Sequence, residues 1–101
     1  MSGSFFLRQA AEADLEEIWC HTLQAWGSEQ ADQYIEGIIS RFGWLAKHPQ
    51  LGKPRTDIKP GYLCFPEGQH LIFYRRQDSN IEILAVVHQR MDYLKSLTDE
   101  P

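Results

Sequence analysis

Apolar residues change their spacing along this chain, and the changes divide it into elements. Ser4–Arg8 (SFFLR) is a short apolar and aromatic run and reads as a first strand. From Ala10 the period becomes helical. Ala11, Leu15, Ile18, Thr22 and Trp26 recur on one side with Trp19 beside them, while Glu12, Glu16, Glu17, His21 and Gln24 occupy other sides. The acidic residues of the first turns suit the positive end of the helix dipole. Gly27 stops this helix, and Ser28 is placed to cap the next. The second helix runs from Ser28 to His48, with Ala31, Tyr34, Ile35, Ile38, Ile39, Phe42, Leu45 and Ala46 at the same period, and Pro49 ends it. Only Gly27-Ser28 separates the two, so they must fold back as an antiparallel pair.

The second half follows a different rule. The stretch 49–61 (PQLGKPRTDIKPG), with three prolines and two glycines, reads as an irregular surface connector long enough to have a role. Tyr62–Phe65 is a short strand, and Pro66-Glu67-Gly68 a turn. Gln69–Arg76 and Ile81–Val87 are strands rich in Ile, Val, Phe and Tyr, joined by Gln77-Asp78-Ser79-Asn80. If those four residues form the loop and no bulge intervenes, Tyr74 faces Ile83, Phe73 faces Leu84, Arg75 faces Glu82 and His70 faces Val87. That register places His70 and His88 on different faces. Both faces of the hairpin are largely apolar, so both need cover, and one of them is open to cover by another chain. From Gln89 onward, Tyr93, Leu94 and Leu97 are spaced for a short docking helix. The expected fold is therefore α+β: an N-terminal strand, an antiparallel helical hairpin, a three-stranded antiparallel meander and a short C-terminal helix.

Composition narrows the class. The 101 residues fit one domain, 1–101, and 43% hydrophobic with 24% charged residues is ordinary for a folded protein. No run is long and apolar enough to span a bilayer and no signal peptide is visible, so a cytoplasmic location without membrane contact is expected. Cys20 and Cys64 are too distant in sequence for a paired metal motif and are read as reduced, buried thiols. The histidines complete no zinc spacing, and neither a metal nor another cofactor is expected. Trp19, Trp26 and Tyr34 read as core aromatics, whereas Trp44 lies off the main stripe and suits contact with a partner. Residues 1–48 carry three basic and seven acidic side chains, and residues 49–101 seven of each, for a net charge of −4. A protein that grips a nucleic-acid backbone usually shows a strongly basic face. This chain shows at most a small basic cluster.

Several spaced residues point to a family. They are A11-x-x-D14-L15-x-x-I18-W19, W26-G27-x-x-Q30-A31-x-x-Y34, L45-A46-x-x-P49-x-x-G52-x-x-R55, G61-Y62, H70-x-I72-F73-Y74-R75 and V87-H88-Q89-R90-M91-D92. Each is weak alone, but in this order and spacing the chain resembles a ParE toxin of the RelE/ParE superfamily over nearly its whole length. The resemblance implies a bacterial toxin that binds DNA gyrase and stops replication. It also implies a ParD-like antitoxin that neutralises it in a hetero-oligomer, with operator DNA contacted only through that antitoxin. The related RelE branch instead cuts messenger RNA on the ribosome, which is the alternative reading.

The residues bear on that choice. RNA cleavage needs cations to hold the scissile phosphate and a group to move a proton. Candidates are Lys53, Arg55, Arg75, Arg76, Arg90, His88 and Tyr93. An Arg75 facing Glu82 is already engaged, and His88 is most simply a strand cap bonded to backbone or Asp92. An acidic chain is also steered away from the anionic ribosome. We therefore expect a non-catalytic inhibitor with no catalytic residue. Its target surface would use Lys53, Arg55, His88, Gln89 and Arg90, and its antitoxin surface Leu15, Trp19, Ile38, Phe42 and Trp44.

Overall fold

The computed structural model describes residues 3–90, so the expected C-terminal helix, with Tyr93, Leu94 and Leu97, lies outside the described residues. A strand β1 (Phe5–Leu7) leads into helices α1 (Gln9–Trp26) and α2 (Ser28–Lys47), then strands β2 (Lys53–Pro54), β3 (Tyr62–Glu67), β4 (His70–Gln77) and β5 (Asn80–His88). The strands form one sheet in the order β1-β5-β4-β3-β2. β1 runs parallel to β5, and every other pairing is antiparallel. This is the expected α+β arrangement with one strand added. The connector, read as irregular, contains a single 3-10 turn at Pro49–Leu51 and then pairs Lys53 with Cys64 and Pro54 with Leu63. Pro54 is tolerated because β2 is an edge strand, where a missing N–H breaks no ladder.

Gly27, at φ 94°, is the whole link between the helices: its N–H bonds Leu23 O, and its own carbonyl receives Ala31 N–H. Ser28 is therefore the first helical residue and not the cap. The packed hairpin is tied by Trp19 Nε1, which donates to Asp32 Oδ1 at 2.9 Å. Its inner stripe, Ala11, Ile18, Ile38, Phe42 and Leu45, closes over Ile72, Tyr74, Ile81, Ile83 and Val86 of the sheet. The opposite face buries Tyr62, Cys64, Phe73, Leu84, Ala85 and Val87, with Ile58 of the connector and Leu71 packed against them. Three expectations about burial fail. Trp26 is 75% exposed, because it sits at the last residue of α1, where the hairpin turns away from the core. Ile39 is exposed as well, and Cys20 faces solvent while Cys64 is buried; both thiols are free.

The β4–β5 hairpin departs from its expected register. Gln77 pairs with Asn80, so the loop is the two-residue turn Asp78-Ser79, with Asp78 at φ 58°. The pairs Arg76–Ile81, Arg75–Glu82 and Tyr74–Ile83 are as expected, but then Phe73 pairs with Ala85 and Leu84 is left over. One extra residue on one strand is a β-bulge, and it reverses the face of everything beyond it on that strand. Leu84 and Ala85 both join the face away from the helices, and His88 comes directly opposite His70.

Candidate functional site

Two surfaces carry the chain's chemistry, and they lie on opposite faces of the sheet. The first is at the end of the hairpin beyond the bulge. His70 and His88 are cross-strand partners with ring centroids 5.3 Å apart, edge to face. Tyr34 of α2 reaches down to them: its hydroxyl lies 2.6 Å from His70 Nδ1 and also receives the N–H of Gln69 at 3.2 Å. Gly68 makes this approach possible, since a Cβ there would stand 2.7 Å from the Tyr34 hydroxyl, and its φ of 59° suits glycine. Burial, and secondarily the charge His88 can carry, push the His70 pKa down to about 4. His70 is therefore neutral at pH 7. Its Nδ1 then accepts the Tyr34 proton, and its own proton sits on Nε2. The Nδ1 of His88 is also an acceptor, here of the N–H of Arg90 at 3.1 Å. His88 is thus bonded to backbone at the strand end, as expected. With His21, Thr22, Trp26, Gln30 and Gln69, these residues line a shallow pocket of about 480 Å³.

The second surface is on the other face, at the β2 edge. Lys53, Pro54, Arg55, Asp57, Cys64, Pro66 and Leu71 line an open groove of about 430 Å³. Arg55 is held by a bidentate pair with Asp57, at 2.9 and 2.8 Å, and its guanidinium lies 5.9 Å from the Phe73 ring centroid. The same pairing holds the Asp57 carboxyl below its ordinary range. Burial pushes the Cys64 thiol up, which keeps it protonated and unreactive despite Lys53 and Arg55 nearby. Arg75 donates to Glu82 at 2.7 Å, the cross-strand pair expected from sequence.

The residues expected on one target surface are therefore separated. Lys53 and Arg55 border the β2 groove, whereas His88 faces the helices across the sheet, with Gln89 and Arg90 exposed just after it. Gln89 is tied back through its N–H to Gln69 O. Of the residues expected to meet an antitoxin, Leu15, Trp19 and Trp44 are part-exposed, while Ile38 and Phe42 are wholly enclosed in the core beneath them. Trp44 packs on Phe65 at 5.2 Å, and the Arg41 guanidinium covers its ring at 4.6 Å. Tyr93, a candidate for proton transfer, lies outside the described residues.

Sequence reasoning gave no role to Asp14. β1 ends at Leu7, but β5 continues, which leaves Leu84 O and Val86 N–H facing an unoccupied edge. Arg8 Nη2 donates to the first at 3.3 Å, and Asp14 Oδ2 accepts from the second at 3.0 Å. Burial raises the Asp14 pKa, and the Val86 N–H partly offsets that rise. Its position in the first helix motif was visible; its partner 72 residues away was not.

A sequence model of the family described as "ParE toxin of type II toxin-antitoxin system, parDE" matches residues 5–93. Toxin ParE1 of Mycobacterium tuberculosis is 39% identical over 98 residues, covering 96% of this chain and all of the relative. Toxin ParE1 of Caulobacter vibrioides is 37% identical over 86 residues, covering 85% and 88%. Among solved structures, the chromosomal ParDE toxin–antitoxin system of P. aeruginosa superposes with a TM-score of 0.72 at 22% identity, over 87% of this chain and 96% of that one. The Mycobacterium tuberculosis RelBE2 complex does so with a TM-score of 0.59 at 23% identity, over 87% and 99%. These two likenesses concern the fold alone. The chain belongs to the ParE toxin family of type II toxin–antitoxin systems.

Proposed function

We propose that this ParE-family toxin inhibits DNA gyrase by binding it, without breaking a bond itself, and is neutralised in the cytoplasm by a ParD-like antitoxin. One observation carries the non-catalytic part. A ribonuclease of the RelE kind needs phosphate-holding cations and a proton-moving group around one point. Among the described residues, the cationic groove contains no imidazole, and the imidazole pocket is lined by no Lys or Arg. The sheet stands between them. The net charge of −4 further disfavours approach to an anionic ribosome. Contact with a protein target makes no such demand, and it can use Lys53 and Arg55 on one face and His88, Gln89 and Arg90 at the end of β5.

The antitoxin reading rests on family membership and on part-exposed apolar side chains of the helix pair. Leu15, Trp19 and Trp44 offer part-exposed apolar surface, and Ile38 and Phe42 hold the helices in shape from within the core. A disordered segment folding along that surface would bury it. Operator DNA would be reached only through the antitoxin. Purified gyrase tests the proposal: micromolar toxin should block supercoiling, and translated mRNA should stay intact. Unimpeded supercoiling with cut mRNA would reverse the assignment to the RelE alternative. Charge reversal, Arg90→Glu, should abolish gyrase inhibition and leave antitoxin binding intact.

A further inference from the structure

The pocket beside the His70–His88 pair is unusual in what it presents. Both imidazoles spend Nδ1 on protein partners, Tyr34 Oη for His70 and the Arg90 N–H for His88. What each ring has left for a ligand is an Nε2–H donor. Gln30 and the Trp26 indole add further donors, and the indole is three-quarters exposed, whereas the Thr22 hydroxyl is spent on Ile18 O at 2.9 Å. Among the described residues no Asp or Glu lines the pocket. Among the described residues, the titratable and charged groups around the pair are few. α1 contributes His21, α2 contributes Tyr34, β5 leads to Arg90, and β3 contributes Glu67, which pairs with His70 in register but is held by Arg41 at 2.8 Å.

A cluster of donors with no carboxylate among the described lining residues matches an incoming carboxylate, which can span two N–H groups. A phosphate dianion would find no Lys or Arg among the described lining residues to balance it. We infer that this pocket receives an Asp or Glu side chain from the antitoxin's neutralising segment, with an apolar neighbour of that residue packed on Trp26, and that docking draws a proton onto the histidine pair. The inference rests on the antitoxin reading above. It also supplies a means of neutralisation, because the docked segment would cover His88 and crowd Gln89 and Arg90, three of the residues proposed to meet the target.

A carboxylate favours the charged imidazole that burial disfavours, so binding and protonation must assist one another. The test uses full-length toxin and its full-length antitoxin. Calorimetry near pH 6.5 in buffers of different ionisation enthalpy should count an uptake of about half a proton, and affinity should rise roughly ten-fold from pH 8 to pH 6. The double variant His70→Gln/His88→Gln keeps amide donors but cannot take up the proton. It should bind with an affinity nearly flat across that range, and His21→Gln should retain most of the slope. Wild-type binding with no proton uptake and no pH slope would overturn the inference while leaving the antitoxin pairing intact; the wild-type proton count decides this even if the double variant fails to fold. Free toxin that dimerises through this pocket, dissociating on His88→Gln, would overturn it in favour of a second copy. An antitoxin that does not bind wild-type toxin at all would overturn the pairing and this inference together.

Discussion

The two faces of the sheet bury apolar side chains in different ways. On one, α1 and α2 close over Ile72, Tyr74, Ile81, Ile83 and Val86, and Phe42 meets Phe5 edge to face at 5.4 Å. On the other, Tyr62, Cys64, Phe73, Leu84, Ala85 and Val87 draw cover from Ile58 and the Arg55 guanidinium, parts of a connector. Two helices locked by a one-residue turn cannot shift far, whereas a connector can. An apolar side chain enclosed on the first face therefore does its work in folding. On the second, the same kind of residue lies beside Lys53, Arg55, Arg75 and Glu82 and contributes to a surface as well.

The largest effect should come from truncating that first core. Phe42→Ala removes a wholly enclosed ring from between rigid elements, and urea unfolding should show a loss of about 4–5 kcal/mol. Phe73 is equally enclosed, but its cover can move in, so Phe73→Ala should cost nearer about 3 kcal/mol. Equal losses would break the comparison. Gly52→Ala probes where the connector meets the helix-covered face. Its Cβ would overlap the Tyr74 ring and hydroxyl, which now donates to Pro49 O at 2.9 Å. We expect about 1–3 kcal/mol lost to displacement of the connector, part of it regained by Tyr74→Phe in the same chain.

These contrasts also mark what could be read from sequence. The helices were legible because Ala11, Ile18, Ile38, Phe42 and Leu45 hold a 3.6-residue period through many turns, and so was the tight link at Gly27. The strands were legible from their β-branched and aromatic runs. The Arg75–Glu82 pair was legible because it lies between the turn and the bulge. The bulge itself was not, for the run Ile83 to Val87 is apolar at every position and alternation cannot show where a residue is skipped. That single residue hid the His70–His88 pairing, and with it the pocket. Trp26 misled for a related reason: periodicity assigns a face, and only the end of the helix decides whether anything lies opposite it. Strand β2 was hidden by the prolines of its connector, and Asp14 by the distance in sequence to the N–H it satisfies.

The helix-covered face is also the one that should respond to acid. His70 titrates at about 4 when folded and near its ordinary 6.5 when unfolded, so the unfolded chain binds the proton more tightly. The neutral ring's contribution is fully present above pH 6.5 and is lost as pH falls towards 4. A dry site with that shift would lose about 3 kcal/mol, and the partial exposure of this one reduces the expected loss to about 1–2 kcal/mol. Denaturation of wild type and His70→Gln at pH 7, 5.5 and 4.5 checks it. The two curves should converge as the pH drops, and parallel curves would remove His70 from the account.

The smallest effect tests how dry the second face is. Arg75 is about half exposed and Glu82 only 13% exposed, at the end of the sheet nearest the turn. A cross-strand pair open to water contributes about 0.2–1 kcal/mol, and salt weakens it further. A double-mutant cycle of Arg75→Gln and Glu82→Gln should therefore give a coupling below about 1 kcal/mol at low ionic strength, and less in 0.5 M salt. The same cycle in the antitoxin complex sharpens the comparison. If the antitoxin docks on the helical side, as its proposed contacts require, the coupling should not change, because no partner reaches the solvent around Arg75. A coupling that grows several-fold and loses its salt dependence on complex formation would mean that the partner covers this face, and the roles of the two faces would have to be exchanged.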